Sequence, residues 1–376
     1  MEAILKINTE KDTKANATYG EIRKNPQEKM AWEKARGPEY WEYRRKWEQY
    51  PKAMHVSPFP LHLDIETTNA CNLDCIMCSR TIQIARKTYG KIGLMPFDLY
   101  KRLIDEGAAR GMCSVKLNYL GEPFLHPDLA RQVRYAKEAG IIDTMFNTNA
   151  TLLTKENSHE ILEAGIDNIF FSVDSPYREK YNAIRIGADF DTVVQNILRF
   201  VEIKNAGPYE HVQTRVSMVV MNDDYKELED FKNFWLNYVD AVGFGEYHAI
   251  DGGEGPYNPN FVCAQPYQRL FVMWDGICTP CCVDDKRAFI VGDATKQTIE
   301  EIWHGKQLQI MRDLQKAGEY NRIDICRKCY VPLTRLDGTV LSFNEVQPEG
   351  TLRVDDPNLE LPKRALKRLQ KTNSRI

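Results

Sequence analysis

Between residues 60 and 246 the sequence alternates short apolar runs of strand length with longer stretches of helical periodicity. A chain that alternates in this way pairs its strands in parallel, each helix crossing back over the sheet in the right-handed sense. Strands are expected over 61–66, 114–119, 142–147, 168–173, 213–220 and 241–246. The clearest helix covers 190–204, where Phe190, Val193, Val194, Ile197, Leu198 and Val201 fall on one stripe. The expected fold class is α/β, an open sheet or a full or partial barrel. In such folds ligands collect at the C-terminal ends of the strands.

A length of 376 residues exceeds one ordinary core and suits a large domain with attachments. Residues 1–58 read as an N-terminal helical extension, with an aromatic and charged run over 40–50 that is expected to dock Trp41 and Trp47 on the main domain. The α/β domain spans 59–250, and a Gly- and Pro-rich stretch then opens a smaller α+β domain over 251–345. Within it short strands are expected around 270–274 and 289–291, and a helix over 298–316. Residues 346–376 form a basic tail. A net charge of −3 gives no reason to expect nucleic acid as a partner. No apolar run approaches the ~20 residues that cross a bilayer, and the N-terminus lacks a secretory pattern, so the expected address is cytoplasmic.

In that reducing compartment ten cysteines are first suspected of holding metal. Cys71, Cys75 and Cys78 stand just after the first expected strand, in a Cys-x3-Cys-x2-Cys spacing. A structural zinc site takes four protein ligands, whereas three thiolates can hold three irons of a [4Fe-4S] cube and leave the fourth iron open for chemistry. This loop resembles that of the radical S-adenosylmethionine (SAM) superfamily, whose fold is a partial (β/α)6 barrel. The resemblance implies that Met77 lies near the adenine of SAM. Gly121, Glu122 and Pro123 resemble the segment that binds the methionine amino group, for which a carboxylate is a sensible receptor. Asn149, in the run 146–152, resembles the segment after the third strand. Ser172 and Arg185 match positions that hold the methionine carboxylate.

The second group comprises Cys263, Cys278, Cys281, Cys282, Cys326 and Cys329, with Cys113 apart as a core residue. By spacing alone it could be a zinc site. Beside a radical SAM barrel, Cys263 with Gly276 and Cys281 resembles the opening of the auxiliary-cluster modules called SPASM and, in shortened form, twitch. No cysteine follows Cys329, so the resemblance is to the twitch type, implying one auxiliary [4Fe-4S] cluster on Cys263, Cys281, Cys326 and Cys329. Cys278 or Cys282 could replace Cys281 as the ligand.

The resemblance implies reductive cleavage of SAM to a 5′-deoxyadenosyl radical that abstracts a substrate hydrogen. Twitch-type relatives suggest oxidation of a secondary alcohol on a sugar or aminocyclitol, with Glu246 or His248 accepting the hydroxyl proton and the auxiliary cluster the electron. The rivals are an epimerase in which Cys282 returns a hydrogen, a peptide-modifying enzyme, and a nonenzymatic metal scaffold. The implied partners are a small-molecule substrate and a low-potential electron donor such as flavodoxin or ferredoxin.

Overall fold

The computed structural model describes residues 12–14, 20–221, 224–247, 261–329 and 331. The strands are β1 (Asp12–Lys14), β2 (Gly20–Arg23), β3 (His62–Ile65), β4 (Ser114–Lys116), β5 (Asp143–Thr148) and β6 (Asn168–Ser172). They continue with β7 (Gln213–Val220), β8 (Ala241–Glu246), β9 (Phe261–Cys263), β10 (Arg269–Val272), β11 (Ile277–Thr279) and β12 (Gly292–Asp293). Among the described residues one sheet runs β12-β11-β10-β3-β4-β5-β6-β7-β8-β2, and β1 pairs separately with β9. From β10 through β3 to β8 every pairing is parallel, with helices crossing between successive strands of β3–β8. The sheet does not close on itself: β2 lies antiparallel on β8 at one edge, and β11 and β12 extend the other. This is the open, partial barrel of an α/β fold.

Strand alternation explains both faces. Leu63, Ile65, Val115, Leu117, Phe146, Ile169, Phe171, Val216 and Val242 are wholly buried under the helices. The helix Phe190–Ala206 supplies Val193, Ile197, Phe200 and Val201 to that layer, the stripe expected from its periodicity. The alternate positions, among them His62, Asp64, Lys116, Asn147, Phe170, Arg215 and Ser217, turn to the inner face.

The N-terminal region departs from a purely helical extension. It holds helices Pro26–Ala35 and Gly37–Lys52, but also β1 and β2, whose backbones complete sheet edges far along the chain. The second helix seats itself under the barrel: Tyr43 is buried, its hydroxyl 3.0 Å from Ser114 Oγ, and Trp47 packs edge-on to His62 at 5.8 Å. Trp41 is instead 46% exposed, because it lies on the opposite side of that helix.

The smaller domain joins the barrel through β10, which pairs with β3. Residues 289–291 are not a strand, the ladder being carried by β11 and β12. The stretch 298–316 is two helices, Ile299–Trp303 and Lys306–Lys316. Gly305 breaks it with extended backbone at ψ 157°, and apolar periodicity running across the break hid it. Trp303 is wholly buried, its indole N–H donating to Ser57 O at 2.8 Å, which ties this domain to the chain just ahead of β3. The expected basic tail, residues 346–376, lies outside the described residues, as do His248 and the Gly- and Pro-rich stretch 251–260.

Candidate active site

The three-cysteine loop leaves the end of β3 and is fixed by backbone contacts from three sides. Glu122 N donates to Ala70 O at 2.8 Å, Asp74 N to Ile186 O at 2.9 Å, and Ile76 N to Ile184 O at 3.1 Å. The buried Arg80 folds back onto the loop, its Nε donating to Asn69 O at 3.1 Å. Cys78 then begins the helix Ser79–Ala85.

Cys75 is buried, while Cys71 and Cys78 are half-buried. N–H groups address their sulfurs: Leu73 N lies 3.5 Å and Asn149 Nδ2 3.9 Å from Cys71 Sγ, and Arg185 Nη1 lies 3.9 Å from Cys75 Sγ. Burial pushes the Cys71 thiol up to about 11 and the Cys75 thiol further, and the neighbouring cysteines add to both shifts. Thiols so placed become a thiolate set when a cationic cluster offsets the buried charge. Among the described residues no three His, Cys, Asp or Glu side chains are gathered closely enough to hold a single metal ion. A cube that takes one thiolate per iron asks for a wider spacing.

Beside this loop Gly121 has no room for a side chain, since a Cβ there would lie 2.0 Å from Thr68 O and 2.7 Å from Ala70 O. Pro123 is buried at the start of the short helical turn that follows. The Glu122 carboxylate accepts from Phe124 N at 3.2 Å, Thr148 Oγ1 at 2.7 Å and Asn149 N at 2.8 Å, and burial lifts its pKa to about 7. Asn149 is bonded to Asn72 Oδ1 at 3.0 Å, and Ala150 next to it carries φ 59°, the left-handed backbone that glycine adopts most easily. Ser172 ends β6 opposite Ser217 of β7. Arg185 is buried and lies 2.6 Å from Asp174, a partner that the sequence reading did not anticipate. Met77 packs with Ile76, Ile184, Ile186 and Met221 into a small apolar wall. Cys71, Cys75, Cys78, Met77, Gly121, Glu122, Asn149 and Arg185 are thus linked by contacts into one neighbourhood.

The second group gathers around one apolar cavity lined by Cys263, Cys281, Cys326 and Cys329 together with Phe261, Met311 and Tyr320. Burial pushes Cys263 up to about 12, and Cys281, Cys326 and Cys329 higher still. Cys278 is elsewhere: it is wholly buried in the main core, its Sγ 3.5 Å from Gly276 O. Cys282 lies beside the cavity without lining it, held by Gln265, which donates from Nε2 to Sγ at 3.3 Å and accepts from Cys282 N at 3.2 Å. Cys113 is half-buried near Tyr43 and Leu61 rather than fully in the core.

The two cysteine groups are mechanically joined. Tyr119, three residues beyond β4, donates from its hydroxyl to Cys282 O at 2.8 Å. Asp285, four residues after Cys281, bonds Ser79 Oγ and Gln83 Nε2 of the helix that Cys78 begins. Glu66 binds the backbone N–H groups of Leu120 at 3.3 Å and Trp274 at 3.5 Å, bridging the barrel and the β10-β11 turn. The side chain of Glu246, at the end of β8, and all of His248 lie outside the described residues.

Comparison with known proteins agrees with this arrangement. The radical SAM superfamily model matches residues 65–234, and the SPASM iron–sulfur cluster-binding domain model matches 263–330. The chain carries a radical SAM domain followed by a SPASM domain. SAM and [4Fe-4S] clusters are accordingly its cofactors, with Cys71, Cys75 and Cys78, and Cys263, Cys281, Cys326 and Cys329, the residues suited to hold the clusters. The chain is 30% identical to the tungsten-containing aldehyde ferredoxin oxidoreductase cofactor-modifying protein of Pyrococcus furiosus over 48% of its own length and 50% of that protein's. It thus spans about half the length of that relative. It is 21% identical to the S-adenosyl-L-methionine-dependent 2-deoxy-scyllo-inosamine dehydrogenase of Niallia circulans, over 71% of this chain and 91% of that one. In fold it is similar to Streptococcus suis SuiB bound to S-adenosylmethionine, with a TM-score of 0.56, 16% identity and 82% of both chains covered. No helix among the described residues is long and apolar enough to cross a membrane.

Lys116 and Arg215 went unremarked in the sequence although both fall on the inward positions of expected strands. Charge at alternate positions of a barrel strand was the available signal.

Proposed function

We propose that this radical SAM protein oxidises a secondary alcohol of a sugar or aminocyclitol to a ketone. The observation that carries the reading is the contact of Tyr119 with Cys282, which sets the four-cysteine cavity against the barrel rather than remote from it. When bound, the cofactors supply reductive cleavage of SAM to a 5′-deoxyadenosyl radical and an acceptor for the electron left on the substrate. The chain's own task is to hold the carbinol hydrogen toward SAM, exclude water and take the hydroxyl proton. Glu246 and His248 are the proposed proton acceptors, and Glu122, Asn149, Ser172 and Arg185 the proposed SAM contacts. A low-potential one-electron donor such as flavodoxin or ferredoxin is part of the reading. The similarity to the Niallia circulans dehydrogenase supports it.

The test is anaerobic turnover of reconstituted protein with SAM and polyols deuterated at the carbinol carbon. Deuterium in 5′-deoxyadenosine together with one ketone per SAM consumed is expected. SAM cleavage with deuterium transfer but unoxidised product contradicts the reading. It would favour the epimerase alternative, to which the position of Cys282 beside the cavity lends support. In that case protium from solvent water replaces the carbinol deuterium in the product, and Cys282→Ala stops its entry.

A further inference from the structure

Arg312 lies directly behind the wall of the four-cysteine cavity. It sits on the helix Lys306–Lys316 between Met311 and Gln315, both of which line the cavity. Its Nε donates at 3.0 Å to the carbonyl of Pro266, a third lining residue. The same helix packs against β9, which ends at Cys263. Tyr267, wholly buried, is within electrostatic reach of both Arg312 and Cys263.

The guanidinium is wholly buried, yet its partners are neutral. Besides Pro266 O, its Nη1 donates to Trp303 O at 2.7 Å, and the group stands over the Trp303 ring at 4.3 Å. Its Nη2 has no hydrogen-bond partner among the described residues. Asp313, the next residue, is exposed and bonded to Gln309 Nε2 at 2.8 Å. Burial lowers the Arg312 pKa to about 10, so the group stays a cation at neutral pH. The other charges that reach the cysteines are already held. Asp284 acts on Cys326, but its oxygens accept from Ala288 N at 2.7 Å and Phe289 N at 2.9 Å. Arg269 acts on Cys263 and is paired with Asp64 at 3.4 Å.

A buried cation without a counter-ion is costly, and an anion placed beside it removes that cost. A [4Fe-4S] cube on four thiolates is such an anion, and reduction adds one more negative charge. A fixed cation close by therefore favours the reduced form, since net charge and surroundings set a cluster's potential. We propose that Arg312 is the counter-ion of the cluster on Cys263, Cys281, Cys326 and Cys329 and raises its reduction potential. This deepens the proposed alcohol oxidation and rests on it for its purpose, because a higher potential makes that cluster a better acceptor for the substrate's electron. Arg312 acts through the cluster and touches no substrate.

The test is a potentiometric titration of the anaerobically reconstituted full chain, followed by the electron paramagnetic resonance of the reduced cluster. A Cys71/Cys75/Cys78→Ala background leaves only the second cluster in view. Arg312→Met and Arg312→Gln are each expected to lower the ratio of reduced to oxidised cluster at a fixed potential about tenfold, a midpoint shift of 59 mV for one electron. Arg312→Lys keeps the charge and should stay within threefold of the background protein. An arginine that only ties the helix to the carbonyls of Pro266 and Trp303 predicts otherwise, since lysine breaks that geometry as the neutral residues do. A change below threefold in a neutral variant of full iron content, or a fall in Arg312→Lys as large as in Arg312→Met, overturns the proposal. If both neutral variants take up no iron while Arg312→Lys takes up its full share, the cation is needed to hold the cluster, which supports the counter-ion. Iron absent from all three variants assigns Arg312 to folding, and iron absent from the background protein removes the cluster itself, and either result overturns the proposal. The titration needs no substrate, which separates the two claims. A lowered potential with no ketone from any polyol keeps the counter-ion and removes the oxidation, whereas ketone formation with an unshifted potential does the reverse.

Discussion

Glu66 shows how one side chain couples the barrel to the cluster domain and to pH. It is 1% exposed, and burial lifts its pKa from 4.5 to about 7 against the opposing pull of the Leu120 and Trp274 N–H groups. A carboxyl with a raised folded-state pKa binds a proton that the unfolded chain has released, so its contribution is fully present below pH 4.5 and lost as pH rises to about 7. Glu122 works in the same direction. Each such proton steepens the decline by at most about 1.4 kcal/mol per pH unit. Denaturant unfolding of the apoprotein across this window should therefore show stability falling with pH, and Glu66→Gln should flatten the fall by about one proton. An unchanged slope in that variant would mean that Glu66 is ionised throughout.

Elements matter at the close approach of two loops, one leaving β3 and the other leaving β4. Gly121 meets the carbonyls of Thr68 and Ala70 so closely that a methyl would lie 2.0 Å from the first. Neither backbone can yield cheaply, because Glu122 N is bonded to Ala70 O and Thr67 Oγ1 to Leu117 O. Gly121→Ala should thus move the loop bearing Cys71, at a cost of about 1–3 kcal/mol. Reconstituted protein should lose the iron of that loop, falling from about eight to about four per chain, while the iron of the second group stays. Full iron content and an unchanged unfolding temperature would show that the loops part without consequence. The elements were the most legible level of this sequence. β7 and β8 lie where alternation and apolar runs put them, and β3 to β6 differ by a few residues at their ends. The short pieces were not legible: β11 and β12 hold three and two residues, too few to show a period, and β2 is defined by pairing with β8 more than 200 residues away.

At the scale of the whole molecule, what the sequence hid was long-range charge. Cysteine spacing announced two sites because thiols are rare and their grouping is visible along the chain. Lys116 and Arg215 are 99 positions apart, on β4 and β7, with β5 and β6 between them in the sheet. Arg185 was legible as a functional cation, but its ion pair with Asp174 was not, since nothing in the spacing says which carboxylate turns inward. The fold gives the molecule its central property, two cysteine groups braced against each other by Tyr119, Asp285 and Glu66. The most direct measurement is iron and acid-labile sulfide per chain after anaerobic reconstitution. It compares wild type with a Cys71/Cys75/Cys78→Ala variant and with a Cys263/Cys281/Cys326/Cys329→Ala variant. Two cubane clusters predict about eight irons in wild type and about four in each variant. About four irons in wild type, unchanged when the second group is replaced and lost when the first is, would contradict the account and leave the second site without a cluster.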